Sequence, residues 1–345
     1  MNKPLFLSQL ERAEATFSVL PVTQALLRTL RSELAKGDPP WWLATQKAWE
    51  KRRFVGWMEA WGLFVSCLHF EALNDAQSPF VPYFPSCGGT DEADPAGALL
   101  KFLADAPPSF YQNLQKARRR PFLWSRTTLW IPPALLYFQR RGLPYYLAQS
   151  GAGAGLDLAA DKTLGYKGFD SELILGRVGV DSEPLALEDI RDRRWLTASL
   201  FPDQIRPIRV LDHALRKARE IEQRDAGWIQ LAKCRENLAA AFLTKNLPAE
   251  DDAGLLLFNM GVTDLLSDEE YRDYQAQAAR MMAPWGDRAL WVEVEHVRGE
   301  LYSTTLQLRV WKLAEGALDG LVMASFDQGA GTIDFNEEAA AKFLS

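Results

Sequence analysis

The sequence predicts an α/β protein in which a helical N-terminal domain precedes a mostly parallel sheet that ends in a β-hairpin. Residues 1–75 show helical spacing, strand-like and helix-like runs alternate from residue 144 onward, and a four-residue turn joins the last two apolar runs. A length of 345 residues allows two domains. We therefore assign residues 1–140 to the helical domain and residues 141–345 to the α/β domain.

The N-terminal domain is marked by an aromatic stripe and a long loop. Apolar spacings of three and four predict a helix face from Trp49 to Leu68. We interpret its tryptophans as core packing, with a ligand-stacking wall as the lesser alternative. Residues 76–108 are rich in proline and glycine and predict a loop with one helical turn near Leu99–Leu103. The segment Tyr83–Gly89 has two interpretations, a lid over a cleft or a surface loop held by its aromatic rings.

A basic tract precedes Pro121, and it consists of Lys116, Arg118, Arg119 and Arg120. Such a tract is typical of a solvated helix end, where the helix dipole favours positive charge. Anion binding is the alternative interpretation.

The α/β domain contains five apolar strand candidates with helix-like runs between them. The strands are Tyr145–Ala148, Leu173–Val180, Trp228–Ala232, Gly254–Asn259 and Ala289–Val294, and the helices include Ile208–Gln223, Arg235–Leu243 and, behind a Ser267–Glu270 capping box, Glu269–Met282. This alternation indicates a parallel sheet covered on both faces. Thr304–Leu313 and Leu318–Phe326 then predict the hairpin. Five βα units followed by a hairpin form the layout of a class I methyltransferase-like (Rossmann-like) fold.

The first of these strands ends in Gly151-Ala-Gly-Ala-Gly155. A strand, a glycine turn and a helix-compatible run form the arrangement with which an open α/β sheet offers N–H groups to a nucleotide-like ligand. A dinucleotide motif would need its third glycine at Leu156, so the spacing instead fits the G-x-G-x-G turn of enzymes that bind S-adenosylmethionine (SAM). Those enzymes carry an acid two residues before the turn, where this chain has Gln149.

Ligands of open α/β sheets bind at the carboxyl ends of the strands, which gives two groups of candidate site residues. The cofactor-binding candidates are Gln149, Gly151, Gly153, Gly155 and Asp181, and Asp181 would accept the ribose hydroxyls of SAM. The catalytic candidates are Asn259, Glu293 and Glu295. Strand alternation places the two glutamates on one face, and we expect that face to point away from Trp291.

Composition excludes several classes of function. The net charge of −6 comes without a concentrated basic face, so we do not expect nucleic-acid binding. No apolar run has the length of a membrane helix, and the three scattered cysteines predict a reducing, cytoplasmic setting. His69, His213 and His296 are too scattered for a metal site and are read as structural.

Several motifs resemble one bacterial family. Gly151–Leu158 with Asp161 and Tyr166 is similar to its G-A-S-A-G-L-N-L signature, and Arg177–Leu185 to its R-x-G-x-D-x-x-P-L segment. Trp195–Gln204 and Tyr83–Ser86 resemble two further motifs. Together they resemble the "domain of unknown function 2332" family. The resemblance implies a methyltransferase-like core with a helical N-terminal extension.

Three functions remain open from the sequence. The first is a SAM-dependent methyltransferase acting on a small molecule bound at the strand ends. The second is a catalytically inactive binding or interaction protein that keeps the fold but has lost the cofactor site, which Gln149 favours. The third, an NAD-linked enzyme, is disfavoured by Leu156.

Overall fold

The computed structural model describes residues 1–54, 56–234, 239–247, 249, 252–298, 305–327 and 332–344. By their contacts these residues form two compact units, Met1–Phe122 with Asp189–Asp212, and Leu123–Glu188 with His213–Ser345. The sequence placed the domain boundary near residue 140. By contacts, the first continuous stretch of the first unit ends at Phe122, and the unit also includes Asp189–Asp212. Among the described residues, no helix combines the length and the apolar character needed to cross a membrane.

The helices account for most of the first unit and alternate with strands in the second. In chain order they are α1 (Lys3–Thr16), α2 (Pro21–Lys36), α3 (Pro40–Ala48), α4 (Glu59–Asn74), α5 (Ala96–Ala104), α6 (Pro108–Lys116), α7 (Trp124–Thr127), α8 (Ile131–Tyr137), α9 (Ala160–Thr163), α10 (Ile190–Ala198), α11 (Ile205–Arg224), α12 (Ala239–Asn246), α13 (Asp268–Met282) and α14 (Glu337–Leu344). Proline opens α2, α3 and α6, where its missing N–H costs no helical bond. The predicted capping box of Ser267 and Glu270 opens α13.

An aromatic core holds the first unit together. Trp42, Trp49 and Trp61 are fully buried, and Phe6 stacks on Trp42 with ring centres 5.0 Å apart. The interpretation of the tryptophan stripe as core packing is therefore confirmed. The prediction of one helix from Trp49 to Leu68 is wrong, because α3 ends at Ala48 and α4 begins only at Glu59. Burial of the rings, rather than one continuous helix, produces the observed spacing.

The proline- and glycine-rich segment is anchored by its own aromatic rings. Phe80 and Phe84 are fully buried and stack with ring centres 5.1 Å apart. Phe84 also meets the ring of His69 on α4. The helical turn predicted near Leu99–Leu103 is part of α5. These contacts favour the pinned surface loop over a lid.

The second unit is built on a single eight-stranded sheet with the order β3-β2-β1-β4-β5-β6-β7-β8. Its strands are β1 (Tyr145–Ser150), β2 (Ile174–Asp181), β3 (Gln230–Lys233), β4 (Gly254–Met260), β5 (Ala289–His296), β6 (Thr305–Ala314), β7 (Ala317–Asp327) and β8 (Thr332–Phe335). β1 to β5 pair in parallel. The predicted hairpin is formed by β6 and β7.

The sheet is mixed, so the prediction of a mostly parallel sheet is wrong. The pairs β5–β6, β6–β7 and β7–β8 are all antiparallel. Only residues 297–304 connect β5 to β6, and a parallel crossover needs a dozen residues or more. This short connection forces β6 to run back along β5.

At the level of single elements, one prediction differs from the structure, two elements were not predicted, and two predictions reach beyond the described residues. The helix expected directly after the glycine turn is the single turn α9, and neither β8 nor α14 was predicted. In the predicted helix Arg235–Leu243, residues 235–238 lie outside the described residues, as does Thr304 at the predicted start of β6.

Each face of the sheet carries its own apolar core. One face, called the α13 face, packs Leu257 and Trp291 against Tyr274 and Met281 of α13. The other, called the α8 face, packs Leu147, Phe258 and Val292 against Trp130 and α8. Residues two apart on a strand share a face. Glu293 and Glu295 therefore lie on the same face as Trp291, and the expectation that they point away from it is wrong.

Candidate functional site

The glycine turn is folded tightly against the end of β2. Gly151, Gly153 and Gly155 all have positive φ, between 56° and 74°, a conformation that favours glycine. The N–H groups of Gly151 and Ala152 both donate to the carbonyl of Val180, at 2.9 and 3.0 Å. Those of Gly153 and Gly155 donate to Asp181 and Ala152. Four of the N–H groups that were expected to face a ligand are thus bonded within the protein.

Asp181 binds the turn instead of facing an open cleft. One carboxylate oxygen accepts the N–H of Gly153 at 2.9 Å, and the other accepts the N–H of Glu183 at 2.8 Å. The residue is only 3% exposed. The carboxylate therefore connects the ends of β1 and β2, and both of its oxygens are engaged by backbone donors.

Gln149 points to the α8 side of β1 and is fully buried. Its amide Nε2 donates to a carboxylate oxygen of Asp157 at 3.0 Å. The backbone carbonyl of Asp157 accepts in turn from the indole N–H of Trp130 at 2.9 Å. Position 149 has no acid, but the carboxylate of Asp157 lies beside it. One oxygen of that carboxylate already accepts the hydrogen bond from the Gln149 amide.

Side chains pack into the crevice between the ends of β1 and β4. An open α/β sheet binds ligands where its strand order reverses, which is between these two strands. A Cβ atom at Gly151 would lie only 2.3 Å from Cγ2 of Val262, which follows β4. A Cβ at Gly179 would lie 2.5 Å from that of Ala152. These glycines are needed for close packing of the protein against itself.

The three catalytic candidates lie together on the α13 face. Glu295 accepts from the Asn259 amide at 2.6 Å and from the N–H groups of Val262 at 2.9 Å and Asp264 at 3.3 Å. The Asn259 carbonyl oxygen accepts from the Trp291 indole at 2.7 Å. The carboxylate therefore fixes the loop that follows β4 to the end of β5.

Glu293 forms the second half of this polar cluster. It accepts from the Thr263 hydroxyl at 2.7 Å and from the Tyr271 hydroxyl at 2.9 Å. Burial raises its pKa and, together with the charge of Asp264, raises the pKa of Glu295 well above its usual range. Burial, then the charge of Glu293, also raises the pKa of Tyr271. Groups of this kind can store a proton, but Glu293 and Glu295 are only 1% and 6% exposed.

The structure thus assembles the catalytic candidates and places one of the cofactor-binding candidates on the other face of the sheet. Asn259, Glu293 and Glu295 form one cluster, whereas Gln149 lies on the opposite face of the sheet. Sequence reasoning missed Asp157, Thr263, Asp264 and Tyr271, which supply most of the partners. Only Asp157 had a signal, since it lies within the glycine motif that carried the family resemblance.

Two residues of the motifs that resemble the bacterial family form an ion pair in the second unit. Arg177 of β2 contacts both carboxylate oxygens of Asp161 through Nη1 and Nη2, each at 2.8 Å. Their side chains are 6% and 0% exposed. The guanidinium also lies over the ring of Trp228, 5.3 Å from its centre. These motif residues stabilise the fold around the glycine turn.

Comparison with known proteins finds one family model that matches part of the chain. Residues 166–326, a little under half of the chain, match the model of a family described as "Uncharacterized protein conserved in bacteria (DUF2332)". The match supports the resemblance drawn from the motifs. No curated protein and no solved structure matches the chain. Among the described residues, no three His, Cys, Asp or Glu side chains are grouped to hold a metal ion.

Proposed function

We propose that this chain is a small-molecule binding protein on a methyltransferase-like sheet and that it does not use SAM. One observation carries the proposal, namely that the glycine turn and Asp181 satisfy each other. SAM would need the Asp181 carboxylate for its ribose, and that carboxylate already accepts two backbone N–H groups. Asp181 is also only 3% exposed, so a ribose reaches it only if the surrounding segment opens, at about 1.5–3 kcal/mol for each charge-assisted bond that is lost.

The state of the acidic cluster supports the same conclusion. A general base must come within hydrogen-bond distance of the proton that it removes. Glu293 and Glu295 direct their oxygens to Thr263, Tyr271, Asn259 and the β4–α13 loop. Their contacts are those of residues that hold a loop in place.

A ligand at this edge of the sheet would meet a positive charge. The guanidinium of the half-buried Arg126 lies beside Gly261 at the end of β4, where a Cβ atom would be 3.2 Å from Nη1. Its position favours a ligand with an anionic group. Native mass spectrometry of the purified protein should then detect an anionic small molecule that Arg126→Met no longer retains. Equal retention by both proteins would argue against this edge as the binding site.

A SAM-dependent methyltransferase is the second candidate. The parallel strand order β3-β2-β1-β4-β5 favours it, because this order places the glycine turn at the point where nucleotide-like ligands bind. In this reading Gln149, Gly151, Gly153, Gly155 and Asp181 hold the cofactor. Asn259, Glu293 and Glu295 would orient or deprotonate the acceptor.

Calorimetric titration with SAM separates the two candidates. The wild-type chain should give no saturable heat and no rise in melting temperature at millimolar SAM. The matched control is Asp181→Asn, which removes the ribose-binding charge. Saturable binding that is lost in Asp181→Asn would refute the proposal and establish the methyltransferase reading of the site.

A further inference from the structure

One residue of the basic tract, Arg119, is partly buried in the first unit. Arg119 packs its guanidinium over the ring of Phe201, 4.6 Å from the ring centre. The same side chain also packs against α4. A Cβ atom at Gly62 of that helix would lie 3.2 Å from Nη1 and 3.3 Å from Cδ of Arg119. Trp61, beside Gly62, stacks on the same Phe201 ring with centres 5.2 Å apart. Arg119 is therefore held between α4 and the segment after α10.

This guanidinium has no anionic partner in the described part of the first unit. Burial alone lowers its pKa to about 10, and no carboxylate acts in the opposite direction. Its Nε is out of solvent and has no hydrogen-bond acceptor among the described residues. Stacking on the Phe201 ring stabilises the positive charge. It does not supply the acceptor that a buried N–H requires.

A second unsatisfied polar group lies one helical turn away. Ser66 follows Gly62 by four residues on α4, so both lie on the same face of the helix, about 6 Å apart along its axis. Ser66 is fully buried, and its hydroxyl has no partner among the described residues. A buried hydroxyl without a partner is destabilising. Two orphaned donors beside one glycine indicate a missing acceptor.

We propose that Arg119 and Ser66 bind the oxyanion of a small molecule, a carboxylate or phosphate group, within the first unit. The oxyanion accepts from the guanidinium and from the Ser66 hydroxyl, which satisfies both orphaned groups at once. Arg119 keeps intermediate exposure, so an anion can reach it from solvent. This site is independent of the function proposed for the second unit.

The test uses the full chain, with inorganic phosphate and acetate as separate probes. Melting temperature and tryptophan fluorescence are followed during each titration, for the wild type, Arg119→Met and Ser66→Ala. Lys116→Met is the matched control, because it removes one exposed charge from the same tract. Comparing the variants under identical salt conditions removes general effects of ionic strength. The two probes distinguish a phosphate ligand from a carboxylate ligand.

The proposal expects saturable binding of at least one probe by the wild type. Affinity should fall by about tenfold or more in Arg119→Met, fall less in Ser66→Ala and stay unchanged in Lys116→Met. Without the probe, Arg119→Met should melt at a higher temperature than the wild type, because it removes a partly buried charge that has no counter-charge among the described residues. With saturating probe this order should reverse.

The proposal is overturned by equal binding in the wild type and Arg119→Met, or by no saturable response to either probe. It is also overturned if Arg119→Met is less stable by the same amount with and without probe, since Arg119 would then serve packing alone. Far-ultraviolet circular dichroism checks that each variant folds. If Arg119→Met does not fold, Arg119→Lys and Ser66→Ala decide the result, because both should weaken binding.

Discussion

Acid should destabilise the first unit through one residue, His69. The ring is fully buried on α4, and its Nδ1 lies 2.9 Å from the carbonyl oxygen of Leu200. Because a carbonyl can only accept, Nδ1 carries the hydrogen. Nε2 is then the acceptor for the Ser86 hydroxyl at 2.7 Å. The fold thus holds the neutral imidazole in a single tautomer.

The size of the effect follows from the pKa of this ring. Burial lowers the pKa of His69 from 6.5 to about 4 in the folded chain. Between these two values the unfolded chain binds more protons than the folded chain, so the free energy of unfolding rises with pH. The contribution is complete above pH 6.5 and is lost as the pH falls toward 4. At about 1.4 kcal/mol for each pH unit, it amounts to about 3 kcal/mol.

The assay is urea unfolding at several pH values between 4 and 7.5, for the wild type and His69→Asn. Asparagine keeps an amide donor near the position of Nδ1 and does not titrate. The variant should therefore be less stable at neutral pH but should lose about 3 kcal/mol less on acidification than the wild type. Ser86→Ala is the control, since it removes the partner of Nε2 and keeps the titrating ring.

Two results would refute this reasoning. One is the same loss of stability on acidification in the wild type and His69→Asn. The other is a pKa of 6 or above for His69 from its nuclear magnetic resonance titration. The chain has only three histidines, which makes the assignment of the resonance direct.

Two further predictions concern the second unit. Asp161→Asn should lower the free energy of unfolding by about 3–5 kcal/mol, because it leaves the Arg177 guanidinium buried without its counter-charge; a loss below about 1 kcal/mol in denaturant unfolding would contradict the structure. Gly151→Ala should cost more than Gly165→Ala, because both glycines have positive φ but only the first would place Cβ against Val262, whereas Gly165 faces open space. Equal losses in thermal unfolding would show that the contact with Val262 is not tight.

Much of the fold could be predicted because local patterns carry it. The apolar runs located β1 to β5 to within a few residues, and the Ser267 capping box marked the start of α13. The direction of β6 follows from the short connection between β5 and β6. The apolar patterns alone do not indicate this direction. β8 and α14 are short and gave no periodic signal.

The candidate site was predicted only in part, because its partners are distant in sequence. Glu295 was recognised as an unusual carboxylate in an apolar strand, but its partner Asn259 lies on a neighbouring strand. Asp181 was correctly placed at the end of β2. That it would accept the N–H of Gly153 depends on how the turn folds back, which spacing alone does not describe.

The sequence by itself determined the kinds of elements, the order of the five parallel strands along the chain and the glycine turn after β1. These follow from local periodicity and from the freedom of glycine at positive φ. Only the tertiary structure decided whether the turn is open. Hydrogen bonds are short and directional, so a shift of an ångström decides whether an N–H group meets Asp181 or a ligand. The same holds for Arg119, which reads as a solvated charge in the sequence and lies beside Phe201 and Gly62 in the fold.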